Sequence, residues 1–157
     1  MNILKKTEDI FVGSAILAAT LVLFINIILR YFFSANTSWA EEFIRYAMIW
    51  IAFIGSAICF RRGIHVGVDL LINYFSGKGK VILQTIINVV SILFMALLVK
   101  YGIDLVLFSM NTGQITPSLE IKTFWIYLAI PLGAVLSIFH IVHRTYLMLR
   151  GVELSEE

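Results

Sequence analysis

Four long apolar runs constrain this chain more than any other feature. Residues 10–29 carry no charge and reach the roughly 20 residues a helix needs to cross a bilayer. Residues 81–99 and 123–142 also have spanning length. Residues 46–60 are apolar but would make only roughly 22 Å of helix, so this span must borrow residues from the stretch before it. With 60% hydrophobic residues in 157 and a mean hydropathy of +0.93, a soluble domain of this size could not hide its apolar surface. The expected fold is an all-α integral membrane protein with four transmembrane helices, at about residues 10–30, 38–61, 81–110 and 123–145. With no Pro/Gly/Ser-rich linker and no clear repeat, residues 1–157 read as a single four-helix membrane domain.

Charge orients the helices. Lys5, Lys6, Arg61, Arg62, Lys78, Lys80, Arg144 and Arg150 fall on one side, and Arg30, Arg45, Lys100 and Lys122 on the other. The positive-inside rule then places both termini in the cytoplasm. The first run follows two lysines like a signal peptide, but it is too long and no convincing cleavage site follows, so we expect a retained anchor helix. In the third helix, Lys100 and Asp104 form an i,i+4 pair, and Gly113 suits the C-cap. That helix must tilt or protrude, because roughly 45 Å exceeds the bilayer core. Between helices two and three, Val66, Leu70, Leu71, Tyr74 and Phe75 share a face, which predicts a short helix lying in the membrane interface.

The net charge of +2 and the lack of a basic block give no sign of nucleic-acid binding. The single cysteine, Cys59, excludes an internal disulfide, a CxxC pair and a cysteine zinc site. Of the three histidines, only His140 lies inside a span, whereas a bis-histidine haem needs two facing imidazoles at similar depth. His140 and His143 are read as interfacial residues near headgroups. No cofactor or metal site is assigned. Gln84, Asn88 and Ser91 share a face suited to a hydrogen-bonded helix contact. No Asp, Glu, Lys or Arg is placed at mid-membrane, where coupled transporters and proton relays need one.

Two stretches point to a partner. In "SWAEEFIRYAMIW" (residues 38–50), Ser38 and Glu41 form a capping box and Arg45 can pair with Glu41. Glu42 fits that scheme poorly. Its face carries Trp39, Tyr46, Ile49, Trp50 and Phe53, and a carboxylate on such a stripe needs a partner from outside its own helix. In helix four, Ala129, Gly133 and Ser137 form a small-xxx-small stripe, suited either to packing among the four helices or to another subunit. The candidate partner interface is therefore Trp39, Glu42, Arg45, Tyr46, Trp50, Ala129, Gly133 and Ser137. A small chain with contact surfaces and no machinery of its own reads as an accessory subunit.

The chain resembles the small (Q-type, DctQ-like) membrane subunit of tripartite ATP-independent periplasmic (TRAP) transporters. The resemblance rests on "RYFF" at 30–33, "WAEE" at 39–42, "RY" at 45–46, and Trp50 with Gly55. It continues with "RRGIHVGVDLL" at 61–71, "QITPSL" at 114–119 and "WIYLAIPLG" at 125–133. The resemblance implies residence in the bacterial inner membrane, no enzymatic activity, and two partners: a separate large membrane subunit and a periplasmic substrate-binding protein. It implies sodium-driven uptake of an organic acid such as a C4-dicarboxylate or sialic acid. The alternatives are a haem b electron-transfer subunit and a small homo-oligomeric transporter.

Overall fold

The fold is described from a computed structural model, for residues 2–33, 37–63 and 78–149. Among the described residues five helices form: α1 (Asn2–Phe33), α2 (Ser38–Arg62), α3 (Lys78–Thr112), α4 (Phe124–Tyr127) and α5 (Ala129–Leu149). Among the same residues four stretches are long and apolar enough to cross a membrane: Leu4–Phe33, Ser38–Arg62, Ile82–Thr112 and Phe124–Met148. Among the described residues there is no strand, only an isolated bridge between Ile115 and Lys122. The interfacial helix expected between the second and third spans falls outside the described residues.

Local chemistry sets the helix boundaries. Gly63 closes α2 at φ 69, and its N–H donates to Phe60 O at 3.2 Å. Gly113 closes α3 at φ 62 and donates to Met110 O at 3.3 Å. Both conformations are left-handed, where glycine pays no Cβ penalty. Pro131 explains the break between α4 and α5. Having no N–H, it cannot donate to Tyr127 O, and α4 ends at Tyr127. The expected capping box does not form. Thr37, not Ser38, is the N-cap of α2, and no side chain caps the helix. The Thr37 hydroxyl instead donates to Asn26 Oδ1, tying the ends of α1 and α2 together.

Among the described residues the spans pack as a row, α1–α2–α5–α3, rather than as a closed square. α2 and α5 run parallel, with Phe53 beside Gly133. α5 and α3 run antiparallel, with Asn88 Nδ2 donating to Thr145 Oγ1 at 2.8 Å. Farther along, a Cβ built on Gly102 would lie 3.0 Å from Pro131 Cδ. Of the two inner helices, α2 and α5, the second is the more enclosed: 39% of the span Phe124–Met148 is buried, against 11% for each of the other spans. The seams are lined mostly by small or polar residues, including Ala40, Ala57, Ala129, Ala134, Asn26, Asn88 and Ser137, with Ile54, Met95, Ile126 and Ile141 between them, while many large apolar side chains are exposed. This inversion suits lipid, where leucine gains little by burial and close backbone approach drives packing.

The register corrects one expectation. The contacts of Gly102 with Pro131 and of Gly133 with Phe53 put Lys100 level with Phe53. Along α2, Phe53 lies roughly 16 Å from Glu42 and roughly 12 Å from Arg61. An ionisable side chain therefore does stand at mid-span. Among the described residues, Lys100 and Asp104 join no ion pair, although they lie one turn apart.

Candidate partner interface

The most informative residue at the loop end of the row is Glu42. It is only 7% exposed. Tyr46, one turn on, donates its hydroxyl to Glu42 Oε1 at 2.8 Å. The backbone N–H groups of Ser118 and Leu119 donate to Oε2 at 2.9 and 2.8 Å. The receiving loop is itself braced. Thr116 N–H donates to Ile121 O at 2.9 Å, Ile121 N–H donates back to Thr116 Oγ1 at 3.0 Å, and Thr123 N–H donates to Gln114 O at 3.0 Å. Two amides converging on one carboxylate oxygen give charge-assisted bonds, stronger than neutral ones. Glu42 thus latches the α3–α4 loop to the start of α2. The carboxylate does need a partner from outside its own helix, but this chain supplies it. The assignment of Glu42 to a separate subunit is corrected on that ground.

The stripe on α5 also turns inward. Ala129 and Ser137 are fully buried, and a Cβ on Gly133 would come within 2.6 Å of Phe53 O. Ser137 donates its hydroxyl to Gly133 O at 2.8 Å, satisfying itself within its own helix. Ala129, Gly133 and Ser137 therefore let α5 approach α2 of the same chain, and they leave the partner-interface set. The remaining members are split. Trp39 is 48% exposed and Arg45 is exposed. Tyr46 is half-buried and engaged with Glu42. Trp50 is half-buried and meets Phe11 edge-on at 5.8 Å. Among the described residues, no ion pair joins Glu41 to Arg45.

At the opposite end, where α1 begins, lies a cluster that sequence reasoning missed. Glu8 is 5% exposed. Its Oε2 accepts from Arg61 at 2.8 Å, and its Oε1 faces His140 Nε2 at 2.8 Å. With Glu8 ionised, that nitrogen carries the proton and donates. The second arm of Arg61 pairs with Asp9 at 2.5 Å, and Arg62 reaches the same carboxylate at 3.6 Å. One cluster therefore joins α1, α2 and α5. The guanidinium of Arg144 lies over Gly63, so close that a Cβ there would sit 1.6 Å from it. His140, expected near headgroups, is instead 6% exposed and engaged by a carboxylate. Its Nε2 is thereby taken, which weighs against His140 as a haem ligand. Among the described residues, no three His, Cys, Asp or Glu side chains group as a metal site would need. The signal for this cluster was present: Glu8 and Asp9 precede the first run, and Arg61 and Arg62 end the second at the same level.

The family described as "Tripartite ATP-independent periplasmic transporters, DctQ component" matches residues 19–151. The C4-dicarboxylate TRAP transporter small permease protein DctQ of Rhodobacter capsulatus is 26% identical, over 98% of this chain and 81% of that protein. The ectoine TRAP transporter small permease protein TeaB of Halomonas elongata is 26% identical, over 84% of this chain and 68% of that one. The sialic acid TRAP transporter permease protein SiaT of Haemophilus influenzae is 24% identical over 90% of this chain, but only 23% of the longer protein. With the family matched over most of its length and four helices fit to span a membrane, the chain belongs to the DctQ family of small TRAP transporter permease subunits.

Proposed function

We propose that the chain braces a separate large transport subunit in the bacterial inner membrane and helps a periplasmic binding protein dock, so that the assembled complex takes up an organic acid with sodium. The row of helices carries this reading. A row has two flanks and no enclosed centre, which suits a wall that widens a scaffold better than a body with its own substrate path. Glu42 and the Glu8–Arg61–His140 cluster support it. Their carboxylates are engaged in holding helices and a loop, which leaves them poorly placed to bind and release a moving ion.

In this reading residues 1–157 form one domain with both termini in the cytoplasm, as the Lys/Arg distribution favours. The latched loop then faces the periplasm, with Trp39 and Arg45 beside it as contacts for a partner. C4-dicarboxylates, sialic acid and ectoine, named for the three relatives above, all carry a carboxylate, which favours an organic acid as substrate. The chain has no enzymatic role in this scheme.

Reconstitution tests the proposal. Liposomes holding this subunit alone should show no sodium-driven uptake, while those holding both membrane subunits and the binding protein should. Uptake by this chain alone would refute the reading.

A further inference from the structure

The two flanks of the row differ in one respect. The outer face of α1 is apolar throughout its middle, with Leu17, Leu21 and Phe24 all more than half exposed. The outer face of α3 is not. Its inner seam is set by Asn88, Met95, Gly102 and Ser109, all buried at heptad spacing, with Asn88 and Gly102 in contact with α5. Lys100 and Asp104 stand two residues to either side of Gly102, about 200° around the helix, and so point directly away from this chain. Both are exposed, within a surface that includes Leu93, Leu97, Leu107 and Phe108.

Their depth makes that exposure costly. From Glu42 to Arg61 is roughly 28 Å along α2, close to the hydrocarbon thickness of about 30 Å. Lys100 lies level with Phe53, inside that interval. It is roughly 18 Å along α3 from Thr112 and roughly 33 Å from Lys78, farther than a lysine stem can snorkel. Within the chain, the Lys100 ammonium lies 5.7 Å from the centre of the neighbouring Tyr101 ring. Ionised side chains at such depth belong against protein, paired with groups of opposite character.

We infer that the outer face of α3, centred on Lys100 and Asp104, is the surface on which the large permease subunit docks, through a membrane-embedded helix face offering an acceptor for Lys100 and a donor for Asp104. This rests on the bracing role proposed above. A second copy of this chain fits poorly. Copies in one membrane share an orientation, so a two-fold pair would set Lys100 against Lys100 at equal depth. A larger permease body as neighbour is consistent with the Haemophilus influenzae relative, in which the stretch resembling this chain is under a quarter of one polypeptide.

Photo-crosslinking in the intact complex tests this directly. With p-benzoylphenylalanine at Leu97 or Leu107, a covalent adduct of small and large subunits is expected, and with the probe at Phe24 none. Adducts to the large subunit only from Phe24, adducts only between small subunits, or labelling of lipid alone, each from a complex that still co-purifies, would overturn the inference while leaving the bracing role intact. Failure of the unmodified subunits to co-purify would overturn both. In a second arm, Lys100→Leu with Asp104→Leu removes the charges, which eases insertion of the small subunit itself. The small subunit should then be recovered at its usual level while recovery of the large subunit falls at least about tenfold. Unchanged recovery of the large subunit would also overturn it.

Discussion

Glu42 and Glu8 are both buried carboxylates in an apolar protein, at opposite ends of the helix row, and they are satisfied in different ways. Glu42 takes a tyrosine hydroxyl and two backbone amides. Glu8 takes an arginine and a histidine. The first arrangement places one formal charge among neutral dipoles, and losing the carboxylate leaves amides that water can serve. The second buries charge against charge, so removing one member strands another away from water. The two sites can therefore look equally satisfied in a list of distances and still respond differently to mutation.

The largest effect should come from the charged cluster. Arg61→Ala leaves Glu8 buried without its cation, and breaking a buried pair costs about 3–5 kcal/mol. Thermal unfolding in detergent should show a marked loss of stability, and a shift no larger than that of a surface mutant would mean the cluster is solvated. Glu42→Ala removes the acceptor and leaves the Ser118 and Leu119 N–H groups and the Tyr46 hydroxyl without it. The expected cost is smaller, about 1–3 kcal/mol. It should appear as faster proteolysis within the loop at 114–123 rather than as loss of the helices. If the two variants destabilise the protein equally and globally, the contrast between the sites is wrong.

A third variant probes the seam between them. Gly133→Ala puts a methyl where Phe53 O would lie 2.6 Å away, so α2 and α5 must separate. Overpacking of this kind costs about 1–3 kcal/mol. A neutral effect would mean that these helices do not approach as closely as described. The smallest effect belongs to Ser38→Ala. The capping box read from the sequence calls for a loss of about 0.5–2 kcal/mol. With Thr37 at the N-cap and no side-chain cap bond, the change should stay within about 0.5 kcal/mol. Unfolding of the purified subunit distinguishes the two.

These cases show what was legible in the sequence. The four spans were, because lipid permits few alternatives to a long apolar helix. Their order in the row was not. A helix that is apolar all round gives no sign of which face meets a neighbour, and the faces that do meet are marked by little more than small or polar residues such as Ala57, Gly133, Ser137 and Asn88. The small-residue stripe signalled close approach but not with which helix. Glu42 was recognisable as a carboxylate in need, yet its partners are backbone amides of a loop distant in sequence, and amides look alike in every residue. Glu8 was overlooked because it stands among the charges before the first apolar run, where solvation is the ordinary expectation. Lys100 was read as lying beyond the bilayer until the contact of Gly102 with Pro131 set the register of α3.

The central claim is that this subunit satisfies its buried carboxylates from within. Hydrogen exchange at the Ser118 and Leu119 amides, followed in the isolated subunit in nanodiscs, tests it most directly. Both amides should exchange slowly in the subunit alone, and Glu42→Ala, which removes the acceptor, should abolish that protection. Free exchange in the isolated subunit, slowed only when the large subunit or the binding protein is added, would contradict the claim and return Glu42 to an interface between chains.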